Sequence, residues 1–369
     1  MMNKNSKYNR NKKYNELKKK NKILVISLCL CISVLIFITS FIVIKFNKRI
    51  NELNGKINEV HYRVIYKENS CNYSSRTKLH LASSYGDDEG THPKVLYFNN
   101  GFAGYKYWMA YTPYPKGKDM YENPNILVSN DGVEWVEKEG FTNPLEDVPS
   151  NYKKSVIYNS DTHLVYNSDT NLLECWWRYV NDEDGVVIIY RKTTSDGVKW
   201  SDKEEVIKQI RKKVDYLSPA VIYEDEQYKL WYVDRDLSIR YIKSNDLKEW
   251  SNPVKINVNY YDKDIRNWHL DVIHDEDEYI MVVSAFVKNF ARTRMNLYYA
   301  KSENETGFSN AKLLLTPSFA TDGWDNKGIY RSSLVRVNNK YYLYYSGIKS
   351  NEERGIGLIK LDSLDEARY

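Results

Sequence analysis

The chain contains few of the residues that cross-link or interrupt a fold. Of its 369 residues, only four are cysteine, nine are proline and 16 are glycine. Four cysteines are too few for a disulfide framework, so packing has to stabilise the fold. The low glycine and proline content excludes collagen-like and linker-like sequence. Aromatic residues, by contrast, make up 14% of the chain, and 33 residues are tyrosine. This composition favours β-strands.

Outside the N-terminal tail the chain has no net positive charge. The net charge is +5, but residues 1–22 alone carry nine basic residues and one acidic residue. The rest of the chain therefore has a net charge of about −3. A basic surface on the folded part is the usual mark of nucleic-acid binding, and its absence argues against nucleic acid as a partner.

Charge is missing altogether from residues 23–44, an apolar run of 22 residues. A helix of this length crosses the hydrocarbon core of a bilayer. The run is longer than the apolar region of a signal peptide and leads directly into lysine and arginine, which favours an uncleaved membrane anchor over a cleaved signal. Basic residues are more numerous before the run than after it. The sequence therefore predicts a single-pass protein of the cell membrane with a cytoplasmic N-terminus and the rest outside.

From about residue 78 onward the sequence repeats five times. An apolar strand begins near residues 107, 173, 228, 279 and 341, and a shorter strand precedes and another follows each of them. Five units of three or four strands predict an all-β fold, a five-bladed β-propeller. The expected organisation is a basic tail (1–22), a membrane helix (23–44), a stalk (45–77), the propeller (78–361) and a C-terminal tail (362–369). Within the stalk, residues 60–67 alternate as a strand does, and we expect them to complete the last blade.

Three units end in a similar box of residues. The boxes read Ser-Asn-Asp-Gly-Val-Glu-Trp135, Thr-Ser-Asp-Gly-Val-Lys-Trp200 and Ser-Asn-Asp-Leu-Lys-Glu-Trp250. Asp-Gly supplies a tight turn, and the tryptophan three residues later can fold back onto the hairpin. We interpret these boxes as structural. The cysteines at 71 and 175 are expected to be unpaired.

The first strand of each blade lines the channel of a propeller, and its polar positions predict a site. These strands open with His92, Asp161, Ser218, His269 and Arg331. Two residues further on, and so on the same face, come Lys94, His163, Ala220, Asp271 and Ser333. Unpaired charges are costly to bury. The ring is therefore either a functional site or a salt-bridge network that seals the axis.

The blade number, the boxes and the phrase Glu122-Asn-Pro-Asn-Ile-Leu-Val-Ser resemble the five-bladed propellers of glycoside hydrolase families 32 and 43. The resemblance implies a glycosidase with an Asp opening blade 1, an Asp opening blade 2 and a Glu opening blade 3. Only Asp161 matches, because blades 1 and 3 open with His92 and Ser218. We therefore expect Asp161 and Asp271 to be the catalytic carboxylates.

The other ring residues are expected to bind substrate. They are His92, His163, His269 and Arg331, with Trp268 as a surface on which a sugar ring can stack. Their basic character suits an anionic glycan at the cell surface. Further carboxylates near the strand starts are Asp87, Asp88, Glu89 and Asp215. A non-catalytic glycan-binding or polysaccharide-assembly protein is the alternative. His92, His163, His269, Asp161 and Asp271 could together bind a metal ion, but no closely spaced ligand pair such as His-x-x-x-His is present, and no metal or other cofactor is predicted.

Overall fold

The computed structural model describes residues 3–69, 76–81, 85, 88–288, 290–308, 310–318 and 320–364. The chain divides into two compact units, Met1–Arg63 and Val64–Tyr369. A single helix, α1, runs over Asn3–Asn69. Within α1, the segment Glu16–Leu53 contains a strongly apolar stretch, and that stretch is not buried. By length and composition this segment fits either a membrane anchor or a signal sequence.

The closing strand expected at residues 60–67 is wrong, because α1 extends through them. Ile50, Leu53, Ile57 and Val60 recur at a helical spacing, and this period continues into the region that alternates like a strand. Closure is made further along, where β1 (Thr77–Lys78) pairs with β19 (Arg354–Leu361). Strands from the two ends of the second unit therefore complete one blade, in which β1 covers the outer edge of β19.

The second unit is a five-bladed β-propeller, as the repeat predicts. Blade 1 contains β2 (Gly90–Phe102), β3 (Tyr105–Pro113) and β4 (Asn125–Ser129), and blade 2 contains β5 (Ile157–Asn167), β6 (Leu172–Asn181), β7 (Val186–Thr194) and β8 (Glu204–Ile210). Blade 3 contains β9 (Leu217–Glu224), β10 (Gln227–Val233), β11 (Ile239–Ser244) and β12 (Val254–Ile256). Blade 4 contains β13 (Ile265–Asp275), β14 (Glu278–Val287), β15 (Met295–Ser302) and β16 (Lys312–Leu315). Blade 5 contains β17 (Gly328–Val337), β18 (Lys340–Ile348) and β19, with β1 at its edge. All neighbouring strands pair antiparallel.

Blade 1 has three strands, and the segment that follows its edge strand β4 forms hydrogen bonds with that edge. The backbone of Val128 exchanges two hydrogen bonds with Val136, at 2.9 and 3.0 Å. The side-chain amide of Asn143 accepts from the N–H of Ile126 at 2.7 Å and donates to its carbonyl at 2.9 Å. The edge strand β4 therefore has few free groups for pairing with another chain.

The cores lie between neighbouring blades, and the boxes pack into them. Trp135 belongs to the core between blades 5 and 1, while Trp200 lies against the core between blades 1 and 2. In the second box Gly197 has a φ of 71°. A Cβ on Gly197 would lie 2.0 Å from the ring of Trp108. These contacts agree with a structural role for the boxes. Cys175 is a buried free thiol, and Cys71 lies outside the described residues.

Candidate metal centre at the mouth of the channel

A break in strand register recurs at one level of the channel. The pairing shifts between Thr91 and Lys94 in β2, and between Ser160 and His163 in β5. Equivalent shifts occur in β13 before His269 and in β17 around residues 330–331. A β-bulge turns a side chain out of the regular alternation. The bulges therefore aim the first residues of the inner strands toward the axis.

Three of these residues also have an unusual backbone. His92, Asp161 and Ser218 have φ values of 55°, 53° and 54°. A non-glycine residue with positive φ is strained, and such residues cluster at functional sites. We call the set His92, Asp161, Ser218, His269 and Arg331 the first layer, and the set Lys94, His163, Ala220, Asp271 and Ser333 the second layer.

In the first layer, four nitrogen atoms surround one carboxylate. The Oδ1 atom of Asp161 lies 3.5 Å from Nδ1 of His269, 3.7 Å from Nε2 of His92 and 3.7 Å from Nη1 of Arg331. Its Oδ2 atom lies 3.8 Å from Nη1 of Arg178, a residue of β6. All five side chains are at least 97% buried. These separations are too long for direct hydrogen bonds.

The atoms that face one another here have no hydrogen-bond partner among the described residues. They are Nε2 of His92, Oδ1 of Asp161, both ring nitrogens of His269, and Nε and Nη1 of Arg331. A buried polar atom without a partner costs about 1–3 kcal/mol. Several such atoms around one point indicate a place that an ion or ordered water completes.

Burial controls the charge of these groups. It lowers the pKa of His92 to about 3 and the pKa of His269 well below its ordinary value. Burial alone would raise the pKa of Asp161, but the neighbouring positive groups outweigh it and the pKa falls below its usual range. The permanent charges of Arg178 and Arg331 favour the ionised form of Asp161 beside the two imidazoles. Neutral imidazole and ionised carboxylate are the forms that bind metal ions.

His92, Asp161 and His269 fit a divalent cation. Each offers one ligand atom, and these atoms lie within 4.8 Å of one another. Tetrahedral ligands about 2.1 Å from a zinc ion are about 3.4 Å apart, close to the 3.5 and 3.7 Å found here. The positive charges of Arg178 and Arg331 disfavour a bound cation, whereas the negative charge of Asp161 favours it. Sequence spacing misses this set because its members come from three different blades.

Glu122 is a second carboxylate at the site, and it was not among the site residues predicted from the sequence. It is 7% exposed, and its Oε1 atom lies 3.7 Å from Nδ1 of His92. Asp161 faces the other nitrogen of the same ring. Burial, followed by the charge of Asp161, raises the pKa of Glu122 well above its ordinary value. The one available signal was the phrase Glu122-Asn-Pro, which carried the family resemblance.

Aromatic side chains line the mouth. The ring of Tyr330 lies 4.3 Å from that of His269 and 5.3 Å from that of His92. Trp268 donates from Nε1 to the hydroxyl of Tyr330 at 3.3 Å, and the guanidinium of Arg292 lies 4.4 Å from the Trp268 ring. Trp268 therefore lies at the site, where the sequence predicted it, with Arg292 beside its ring.

Arg354 lies between two tyrosines of this mouth. Its guanidinium is 4.6 Å from the Tyr114 ring and 5.1 Å from the Tyr330 ring. Its Nε and Nη1 atoms have no hydrogen-bond partner among the described residues. Tyr114 and Arg354 were not singled out by the sequence patterns. Arg178 and Tyr330 lie within repeated or family-like segments, but nothing in those segments distinguishes them as site residues.

The second layer is paired. Nζ of Lys94 lies 2.7 Å from Oδ1 of Asp271, whose Oδ2 accepts from the N–H of Leu334 at 3.2 Å. His163 bonds the backbone of Val221 at 2.9 Å, and its Nδ1 lies 3.2 Å from Nη2 of Arg331. The sealing network considered from the sequence describes this layer. Asp271 lies in it, and a catalytic role for Asp271 stays a prediction.

The other carboxylates near the strand starts are engaged elsewhere. Asp88 contacts Nδ1 of His80 at 2.9 Å, and Glu89 accepts from the backbone N–H of Lys116 at 3.2 Å. Asp215 pairs with Arg178, the residue that also faces Asp161. Asp87 lies outside the described residues.

The chain is similar to several proteins whose names describe action on carbohydrates. No family model matches the chain. It is 30% identical over 301 residues to the A type blood N-acetyl-α-D-galactosamine deacetylase of Flavonifractor plautii, an alignment covering 68% of this chain and 38% of the relative. The chain thus spans less than half the length of this relative.

Solved structures show the same fold. An N-acetylgalactosamine deacetylase from F. plautii, in complex with blood group B trisaccharide, has a TM-score of 0.67 at 23% identity over 78% of this chain and 94% of that one. An exo-1,5-α-L-arabinanase from a bovine ruminal metagenomic library has a TM-score of 0.52 at 14% identity, covering 74% and 94%. A thermostable family-43 glycoside hydrolase has a TM-score of 0.55 at 13% identity, covering 74% and 89%. The unit is a five-bladed propeller with family-43 neighbours. The resemblance drawn from the sequence is confirmed.

Proposed function

We propose that the chain is a metal-dependent hydrolase that acts on glycans and removes the acetyl group from an N-acetylated sugar. The observation that supports this most is the buried set of His92, Asp161 and His269, whose unpartnered atoms converge on one point. Glycan-acting relatives, one of them a deacetylase, support the substrate class.

The residues of the site have two roles: three of them bind the cation, and one transfers a proton. His92, Asp161 and His269 would hold the cation, which when bound supplies Lewis-acid polarisation of a carbonyl group. Glu122, beside His92, takes a proton from the attacking water and returns it to the sugar nitrogen as the C–N bond breaks. The products are acetate and a sugar with a free amine. Arg178 and Arg331 keep Asp161 ionised.

Cleavage of a glycosidic bond, the prediction from sequence, is the second candidate. One observation favours it: Asp161 and Glu122 lie on opposite edges of the His92 ring, and the pKa of Glu122 is raised as a general acid requires. Asp161, however, is enclosed by four nitrogen atoms, which lowers its basicity. A binding protein without catalysis is the third candidate, and the raised pKa of Glu122 beside the first layer argues against it.

The anionic substrate expected from the sequence gains no support from the first and second layers. Lys94 is paired with Asp271, and His163 is bound to the backbone of Val221. Arg354 has unpartnered nitrogens at the mouth, and it is the residue through which an acidic substituent would be recognised. For location, we propose that the span within α1 is an anchor with a cytoplasmic N-terminus, since basic residues dominate before it.

The decisive experiment separates the two reactions by their products. The full chain, purified in nanodiscs, is stripped with EDTA, reloaded with Zn²⁺ or Mn²⁺, and incubated with oligosaccharides that contain N-acetylgalactosamine or N-acetylglucosamine. We expect metal-dependent release of acetate without new reducing ends. New reducing ends with no acetate would favour the glycosidase. Neither product, with sugar binding retained, would favour the binding protein.

A further inference from the structure

A cavity on the flank of the propeller, between blades 2 and 3, lies apart from the channel mouth. It has a volume of about 420 Å³, within the range of small-molecule sites. We call it the flank cavity. Its lining includes Tyr216, Tyr232, Asp234, Arg240 and Trp250. None of these residues belongs to the first or second layer.

Two tyrosines that line the flank cavity are largely buried. Tyr216 is 6% exposed and Tyr232 is 1% exposed. Neither hydroxyl is among the enclosed side-chain atoms that lack a hydrogen-bond partner, so both are free to bond water or a ligand in the cavity. Burial raises the pKa of Tyr216 to about 12 and raises the pKa of Tyr232 also. Both hydroxyls are therefore donors at neutral pH.

The backbone of Tyr216 has a strained conformation. Its φ is 48°, a left-handed value that is uncommon for an aromatic residue. The ring packs 4.6 Å from that of Tyr232. Strain of this kind persists where the surrounding structure holds a side chain for a function.

The chemistry of the walls indicates the class of ligand. Nε of Arg240 lies 2.8 Å from Oδ2 of Asp234, so donors and acceptors stand side by side. Trp250 adds an aromatic surface. An anion would lie against Asp234, and a cation would lie against Arg240 and the exposed Lys213 at the rim. A neutral sugar ring, with hydroxyls that donate and accept and an apolar face, matches this combination.

From this geometry we propose that the flank cavity is a second, non-catalytic sugar-binding site that recognises a neutral sugar through the hydroxyls of Tyr216 and Tyr232. It is separate from the proposed reaction, since none of its lining residues belongs to the first or second layer. Such a site would hold a glycan chain on the propeller while another part of the glycan reaches the channel mouth.

The test measures sugar binding by the full chain in nanodiscs, because alkyl glycoside detergents would compete. The probes are D-galactose, D-glucose, D-mannose and N-acetyl-D-galactosamine, followed by saturation-transfer NMR and tryptophan fluorescence. The double variant Tyr216→Phe/Tyr232→Phe keeps both rings and removes both hydroxyls. We expect it to bind at least about tenfold more weakly, since each hydrogen bond is worth about a factor of three to ten.

The matched control is Tyr241→Phe. The Tyr241 hydroxyl is buried and unpartnered among the described residues, and its ring packs 5.0 Å from Trp231, but it does not line the cavity. It should bind sugar as the unmodified chain does. Asp161→Asn should abolish the reaction and leave this binding intact, which separates the flank cavity from the proposed function. If the double variant does not fold, the single Tyr232→Phe serves, with about threefold weaker binding expected.

Two results would overturn the inference. The first is binding in the double variant equal to that of Tyr241→Phe. The second is the absence of binding of every probe by the unmodified chain in the millimolar range.

Discussion

The first and second layers of the channel are both buried and both contain charged side chains, yet they differ in how those side chains are partnered. In the second layer, Lys94 and Asp271 lie 2.7 Å apart. In the first, Asp161 has no nitrogen closer than 3.5 Å among its ion-pair neighbours. A paired layer is complete as it stands, whereas an unpaired one needs a further group. The second layer therefore seals the channel, whereas the first layer is the candidate site.

The largest expected effect is the difference in turnover between variants that lose the carboxylate charge of one layer or of the other. Asp161→Asn should lower acetate release about a thousandfold, which corresponds to several kcal/mol of lost transition-state stabilisation. Asp271→Asn should change turnover per folded molecule by less than about threefold, since the pair lies in the sealed layer. Metal content, measured on the same samples, should fall for Asp161→Asn only. Equal losses of activity in both variants would erase the distinction between the layers.

For stability, by contrast, we expect the large effect from substitutions in the second layer. Lys94→Met leaves Asp271 as an unpaired buried charge and should cost about 3–5 kcal/mol of unfolding free energy. Chemical denaturation followed by tryptophan fluorescence measures this loss. The double variant Lys94→Met/Asp271→Leu removes both charges and should recover most of it. If the double variant is as unstable as Lys94→Met, pairing between Lys94 and Asp271 does not account for the stability of the second layer.

Glu122→Gln sharpens the assignment of roles within the site. The amide keeps the volume but cannot transfer the proton, so kcat should fall by about a hundredfold or more. Bound metal should be unchanged, because Glu122 lies beside His92 and outside the ligand set. Loss of metal together with activity would instead make Glu122 a ligand. Glu134→Gln, at an exposed position, is the control.

The smallest effect concerns a hydroxyl of the second layer. Ser333 accepts the N–H of Val95 at 3.0 Å, and Ser333→Ala would leave that buried group unpartnered. The expected cost is about 1–3 kcal/mol. The control is Ser284→Ala, because the buried Ser284 hydroxyl has no partner among the described residues, and removing it should be close to neutral. Thermal denaturation compares the two. A similar melting temperature for both would show that the Ser333 bond adds nothing.

The sequence predicted the propeller well because each blade repeats the same local information. The apolar centres of the inner strands and the turn chemistry of Asp131-Gly132 and Asp196-Gly197 recur with a regular period, and neighbouring blades bury one another. The closing strand was misplaced because residues 60–67 fit both a helical and a strand pattern. Only pairing with β19 selects Thr77–Lys78.

The candidate site was predicted in part. His92, Asp161, His269 and Arg331 were found because the first strand of a blade lines the channel. Glu122 and Arg178 were not found, because they lie outside the inner strands and reach the axis only through the packing of blades 1 and 2. Asp271 was selected beside Asp161 because alternation places both on one face, without revealing which one is paired.

By itself, the sequence determined the five blades, the apolar N-terminal span and the polar channel, since each depends on periodicity, length or composition over neighbouring residues. The tertiary structure alone decided which charges pair, where the bulges turn side chains toward the axis, and that His92, Asp161 and His269 meet. These residues are separated by 69 and 108 positions. Their distances depend on strand register and blade closure, which arise from packing among all five blades and leave no trace in local spacing.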